Sequence, residues 1–333
     1  VLLIVCDDLN GYIARFGGHP QTKTPNIARL ADSGMSFQQA HCTIPICAPS
    51  RSSFLTGLYP HTSANYGFAK WQQNEILANS RTLMDHFRAN GYQTLGTGKL
   101  MHHEVTKEWS EWGNAVDYSP FAYNGEENVA HPDVPSPLRD DFGAVDGSLG
   151  PLVNVKGRKF KDGKPCSWRA GNWRRQYDLR VDAQDDRDST ADELNRDWAV
   201  EKLKEFAANP GDKPFFMGVG FLRPHTPLIV PKKYFDMFPL EDIQLPVIKE
   251  GDVEDTFLRE LSGKAEDDRD RGAMIYQSLV ASYGSHDLAL RTFIQAYLAC
   301  VASVDELVGD MLDVIDQSPL KNNTIIIFTS DHG

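Results

Sequence analysis

The sequence predicts an α/β fold, a mostly parallel central sheet with helices on both faces. Two observations carry that prediction. Short β-branched or aromatic runs alternate with helix-periodic segments along the chain. The composition, 41% hydrophobic and 24% charged over 333 residues, supports a large buried core and excludes a disordered or fibrous chain.

Taken in order, the strand candidates are VLLIVC (1–6), YQTLGTG (92–98), PFFMGVGF (214–221) and TIIIFTS (324–330). Helices fit residues 24–34, 80–91, 189–209 and 291–316. Ser189 is the N-cap candidate of the third, and Gly34 and Gly91 close the first two. There is no internal repeat. Residues 105–188, rich in Gly, Pro and charge and weakly periodic, read as a long loop-rich insertion, and residues 241–272 as a polar acidic stretch.

At 37.2 kDa the length suits about two domains or one large α/β domain. No apolar run approaches the roughly 18 residues of a membrane span. Lys plus Arg is 34 against 46 Asp plus Glu, a net charge of −12, which argues against a phosphate-tracking nucleic-acid binder. Five Cys are too few for a disulfide scaffold, and none form a C-x-x-C zinc pair. The chain opens inside an apolar run and closes just after TIIIFTSDHG, so the expectation is an N-terminal catalytic domain, residues 1–333, without a C-terminal subdomain or signal region.

The chemistry gathers at strand ends. Asp7 and Asp8 follow the first strand, and Asp331 and His332 follow the last. In a parallel sheet these ends converge on one crevice. Crowded carboxylates repel unless a cation neutralises them, and oxygen ligands suit hard Ca²⁺ or Mg²⁺. A second cluster, CTIPICAPSRSSFLTGLYPHT (42–62), starts a short helix at Cys47. A helix N-terminus lowers a thiol's pKa and attracts anions, and Arg51, one turn on, adds a bidentate fork for an oxyanion.

Cys47, Pro49, Ser50, Arg51, Leu55, Thr56 and Gly57 fill every fixed position of C-x-P-S-R-x-x-x-L-T-G. In this the chain resembles the formylglycine-dependent sulfatase family, in which that Cys is oxidised to formylglycine. The Asp-Asp after the first strand, G-T-G-K (96–99) and F-T-S-D-H-G at the end follow in family order. VCDDLN, GKLMHH and FLRPHTPL are most similar to the iduronate-2-sulfatase subgroup. One departure is Cys6, where most relatives carry an aliphatic residue; it reads as a small buried hydrophobe.

The resemblance implies an alkaline-phosphatase-like sandwich and a site that can be carried over by residue. Asp7, Asp8, Asp331 and His332, with Cys47 beside them, would hold Ca²⁺, ahead of Mg²⁺; His332 stands where many sulfatases carry Asn and is a poorer partner for a hard ion. Hydrated formylglycine at Cys47 would supply two hydroxyls, one to attack sulfur and one to expel sulfate. Arg51 would hold that diol, Lys99 would pair with sulfate oxygens, and His102 would hydrogen-bond the diol, chosen over His103 by K-x-x-H spacing. His225, in R-P-H-T-P, would protonate the leaving alcohol. The family also uses a Lys beyond D-H-G, which this chain does not reach.

Residues 156–175 hold eight basic side chains against Asp162, a net +7, interleaved with Trp168 and Trp173. Arg169, Trp173 and Arg174 are candidates for stacking on sugar rings beside anionic groups, with a solvated loop the plainer reading. Trp71 is a candidate for the pocket mouth or for the core. Together with the resemblance this implies a sulfuric ester hydrolase acting on sulfated carbohydrate, a 2-O-sulfated uronic acid or related polysaccharide unit. It further implies maturation by a formylglycine-generating enzyme and a secreted, periplasmic or lysosomal location. Two other classes stay open: a phosphate or phosphonate monoester hydrolase on the same scaffold, and a non-catalytic sulfated-glycan binder if Cys47 stays unmodified.

Overall fold

The computed structural model describes residues 1–103, 108–172, 174–209, 211, 213–249 and 271–333. Five strands form the central sheet: β1 (Leu2–Asp7), β2 (Gln93–Gly98), β3 (Glu111–Trp112), β9 (Phe215–Pro224) and β11 (Ile326–Ser330). Their order is β11-β1-β9-β2-β3, and every neighbouring pair is parallel. Parallel strands need crossovers, and helices supply them on both faces.

The period-2 geometry of β1 divides its side chains between two cores. Leu2, Ile4 and Cys6 pack with Met217, Val219, Val304 and Val308, on the face covered by the helices Pro25–Ser33, Ala191–Ala208 and His286–Asp316. Leu3 and Val5 pack with Leu55, Met84 and Phe216, on the face covered by Cys47–Thr56 and Leu83–Ala89. Each such fully buried side chain contributes about 1.5–3 kcal/mol relative to exposure. Cys6 is fully buried in the first core, and burial pushes its thiol well above the usual value. Among the described residues no helix is long and apolar enough to cross a membrane.

Three sequence expectations are revised. The third helix is capped not by Ser189 but by Thr190, whose side chain and that of Glu193 form a reciprocal capping box. The last helix begins earlier than 291, at His286 behind the N-cap Ser285, which accepts from the Leu288 amide. Most substantially, 105–188 is not structureless, although loops make up most of its described residues. It carries β3, β4 (Phe121–Tyr123), β5 (Asn128–Val129), a helix at Leu138–Asp146, β6 (Leu149–Leu152), β7 (Ser167–Asn172) and β8 (Arg175–Asp178).

There β5-β4-β7-β8 make an antiparallel sheet, and β6 pairs in parallel with β10 (Leu228–Pro231). A small core of Ala122, Leu152, Val155, Cys166, Trp168 and Ile229 holds this region together. Strands of two to six residues are too short to print a period, so composition dominated the sequence signal. Of the acidic stretch 241–272, residues 250–270 lie outside the described residues.

Candidate active site

Because β1, β2, β9 and β11 are parallel, their carboxyl ends open on one side of the sheet, and each hands over to a chemical residue. Asp7 ends β1, Lys99 follows β2, His225 follows β9 and Asp331 follows β11. Local irregularities aim them. The β1–β9 register slips between Cys6 and Asp7, where Cys6 faces Phe221 but Asp7 faces Pro224. The His225 amide there donates to the Asp7 carbonyl at 3.0 Å. Asp8 turns the chain with φ 64°, a left-handed conformation Asp tolerates, and its amide donates to Asp331 Oδ1 at 3.1 Å. Beside Lys99, Gly220 has no space for a side chain: a Cβ there would lie 2.2 Å from the Lys99 carbonyl carbon.

Arg51 is 1% exposed and ties these ends together. Its Nε donates to Asp331 Oδ2 at 2.8 Å, one Nη donates to the Lys99 carbonyl, and the other stands 3.5 Å from Asp7 Oδ1. Lys99, 2% exposed, sets its ammonium against Asp7 Oδ2 and donates to the Tyr118 hydroxyl at 2.6 Å. Ser50 Oγ donates to the Asp331 carbonyl at 2.5 Å, fastening the helix Cys47–Thr56 to the end of β11.

The electrostatics follow from crowding. Burial alone would raise the Asp7 carboxyl, but Lys99 and Arg51 outweigh it and hold it well below the usual range. Burial raises Asp331. At His332 burial acts downward, yet Asp8, Cys47 and Asp331 outweigh it and push the imidazole up to about 10. Its Nδ1 lies 3.3 Å from Asp8 Oδ1, and its Nε2 lies 3.9 Å from Asp7 Oδ1 and 3.6 Å from Asp331 Oδ2. Three carboxylates exceed the two cations Arg51 and Lys99, and the surplus draws a proton to His332.

These donors fit a divalent ion. Both Asp7 oxygens are buried and, beyond their ion pairs with Lys99 and Arg51, accept no hydrogen bond among the described residues, and ligand atoms of Asp7, Cys47 and His332 all lie within 4.8 Å of one another. Carboxylate oxygens from Asp7, Asp8 and Asp331 suit a hard cation, with the His332 nitrogen a softer fourth donor.

Cys47 is the first residue of its helix and is buried. Its Sγ lies 3.3 Å from His102 Nδ1. The structure thus sets His102, rather than its neighbour, on the sulfur; His103 stacks edge-on against His102 at 4.9 Å. Burial, with Lys99 nearby, lowers His102 to about 4, so the ring is neutral near pH 7. His225 sits across the site, its Nδ1 2.6 Å from the Thr226 carbonyl and its ring 5.5 Å from Tyr118 at 83°.

The outlying candidates fare differently. Trp71 packs against the core beneath the Cys47 helix, and its indole N–H donates to the Leu77 carbonyl at 3.0 Å. It also borders a cavity of about 10 Å³, room for one water, beside Arg51 and His102. Trp168 is 2% exposed and donates to the Val153 carbonyl, so it is a core residue and not a stacking face. Arg169 lies over the Tyr123 ring at 4.3 Å and 3.4 Å from Asp178. Arg174 is exposed beside the β7–β8 turn, and Trp173 lies outside the described residues. The net +7 of 156–175 is partly offset by acids elsewhere: Arg158 pairs with Asp133 and Lys164 with Glu126.

Two contributors were invisible in sequence. Asp192, buried near the start of Ala191–Ala208, accepts from the Leu222 and Arg223 amides at 2.8 and 2.9 Å and so holds the end of β9 that leads into His225. Tyr118 sits between Lys99 and His225. An acid at a helix start reads as a cap, and a lone Tyr in a segment read as loop carries no signal.

A parallel sheet with helices on both faces and an acid-rich site beyond its carboxyl ends places the chain in the alkaline-phosphatase-like α/β class. A phosphonate monoester hydrolase from Silicibacter pomeroyi shares that fold, with a TM-score of 0.64 at 18% identity over 100% of this chain and 62% of that one. The chain belongs to the sulfatase family, whose profile matches residues 1–333. It is 33% identical over 341 residues to a sulfatase of Formosa agariphila and 30% identical over 335 residues to human iduronate 2-sulfatase. Those alignments cover 100% of this chain but only 58% and 54% of the two relatives, so it spans little more than half their length.

Arg51→Lys is expected to lower any turnover by about 100-fold, because an ammonium cannot reach Asp331, Asp7 and the Lys99 carbonyl together. Kinetics on the purified variant, with circular dichroism to check folding, test this. Near-unchanged kcat/KM would show that charge alone suffices there.

Proposed function

We propose that this chain carries the catalytic centre of a sulfuric ester hydrolase that removes sulfate from a sulfated carbohydrate, with a 2-O-sulfated uronic acid unit the favoured substrate. The observation that carries the reading is the position of Cys47: a sulfur at a helix N-terminus, bonded to His102, clustered with Asp7 and His332, and one turn from Arg51. Family membership supports the chemistry, and the name of the human relative supports the sugar.

In this reading a formylglycine-generating enzyme would oxidise Cys47, with molecular oxygen as oxidant and loss of the sulfur, to formylglycine, whose hydrate would supply the attacking hydroxyl and a second one for release of sulfate. Asp7, Asp8, Asp331 and His332 would hold Ca²⁺, which would screen the ester's negative charge. Arg51 fixes Asp331 and Asp7 relative to Cys47. Lys99 directs its ammonium at a sulfate oxygen, His102 accepts or returns a proton at the nucleophile, and His225 protonates the leaving oxygen.

Peptide mass spectrometry across 42–62 should find formylglycine in place of Cys47 in active preparations. Sulfate release is then compared on heparin-type, dermatan-type and algal oligosaccharides, an aryl sulfate and a phosphonate monoester. An unmodified thiol in fully active protein sinks the formylglycine mechanism. Cleavage of the aryl sulfate alone sinks the carbohydrate assignment, and faster phosphonate hydrolysis moves the chain to the other class of its fold.

A further inference from the structure

We infer that Tyr118 is a positioning residue that sets Lys99 and His225 in register across the reacting group, so that the 105–188 region completes the catalytic site; this rests on the sulfatase reading above. The phenol oxygen accepts from Lys99 Nζ at 2.6 Å, and the same ring stands edge to face with His225, centroids 5.5 Å apart. An ammonium has three donors. Asp7 faces one and Tyr118 accepts another, and together they fix the direction of the third, the one that can meet an ester oxygen. Without the phenol, Lys99 can swivel fully onto Asp7, the stronger partner. The edge-to-face contact meanwhile limits rotation of the His225 ring, which is otherwise held through Nδ1 to Thr226.

Tyr118 is itself anchored by the antiparallel sheet. The neighbouring Asp117 accepts from the Ser119 amide at 2.8 Å and, through its other oxygen, from the Gly171 amide at 2.9 Å. Gly171, next to last in β7, has φ +100°, and a Cβ there would lie 2.1 Å from the Arg175 carbonyl oxygen, so β8 can pack this closely on β7, with the Gly171 amide turned to Asp117, only with glycine in place. A chain of contacts thus runs from the sheet β5-β4-β7-β8 through Asp117 and Tyr118 to the two groups that would grip and protonate the ester.

The test uses whichever sulfate ester the unaltered protein hydrolyses. Tyr118→Phe keeps the ring and removes the acceptor; it is expected to reduce kcat/KM about 10-fold, mainly through KM, and to weaken competitive inhibition by inorganic sulfate to a similar degree. Tyr118→Ala also frees His225 and is expected to lose about 100-fold, with kcat falling as well as KM rising. In a Lys99→Met background Tyr118→Phe should add less than about twofold, because its partner is gone. Thermal melting accompanies each variant, and should Tyr118→Ala fail to fold, Tyr118→Phe and the double-variant cycle decide. Unchanged kinetics in Tyr118→Phe, or an equal loss with and without Lys99, overturns the inference. An unaltered protein that releases no sulfate from any ester instead overturns the sulfatase reading itself.

Discussion

Cys47→Ala is expected to reduce sulfate-ester turnover by at least about 10³-fold while leaving the fold intact. The two halves of that expectation have different physical origins. Sγ lies 3.3 Å from His102 Nδ1 and also faces His332, while the Ser52 hydroxyl, which lines the same small cavity as Arg51 and His102, is engaged elsewhere, donating to the Pro49 carbonyl and accepting from Asn65. Cys6 is sealed in the opposite core with its thiol raised by burial. The helix Cys47–Thr56 does not depend on the sulfur: it is held by Leu55 in the core, Ser50 on the Asp331 carbonyl and Arg51 on three strand ends. Alanine at its first position is a good helix former, so the stability change should stay within about 1 kcal/mol. Cys47→Ser keeps one hydroxyl but gives no second one to expel sulfate, and is expected to stall after a single turnover. Steady-state and burst kinetics beside thermal melting check both variants. Cooperative unfolding lost in Cys47→Ala would make the residue structural, and retained turnover would move the chemistry elsewhere.

What the sequence disclosed follows from how each feature is encoded. Strands β1, β2 and β9 are buried and the edge strand β11 packs Ile326 and Phe328 against the core, so their apolar runs stand out in the sequence, and topology then delivers Asp7, Lys99, His225 and Asp331 to one edge without any pairwise signal. Cys47 and Arg51 were legible because a helix start imposes a fixed local spacing. Tyr118 and Asp192 were not, because their roles exist only through partners 19 and 30 or more positions away. Trp168 misled for the opposite reason: its neighbours in sequence are basic, but strand alternation in β7 turns it inward toward Leu152 and Ile229 while Arg169 turns out. Charge counted along a segment says little when Asp133 and Glu126, outside it, pair with Arg158 and Lys164.

Asp7→Asn is expected to be the most damaging substitution for stability and metal binding together. Asp7 is completely buried, with Lys99 on one oxygen and Arg51 3.5 Å from the other. An amide leaves Arg51 with Asp331 alone and Lys99 without its carboxylate partner, which by analogy with broken buried pairs costs about 3–5 kcal/mol. Thermal melting in chelator and in excess Ca²⁺ separates the effects. The unaltered protein should gain stability with Ca²⁺ by mass action, and Asp7→Asn should gain little.

The pH dependence has a definite sign. The folded Asp7 carboxyl lies below its unfolded value of about 3.9, so its contribution is fully present above that pH and is lost as pH falls through the folded value. Asp331, raised by burial, acts oppositely, contributing below its unfolded value and losing that contribution as pH rises through its folded one. Below about pH 4, therefore, the stability of the unaltered protein in chelator should fall toward that of Asp7→Asn, the two curves converging with increasing acidity. Equal stability of the two at pH 7, or a Ca²⁺ shift that survives the substitution, would show that Asp7 neither balances the buried cations nor belongs to the metal site.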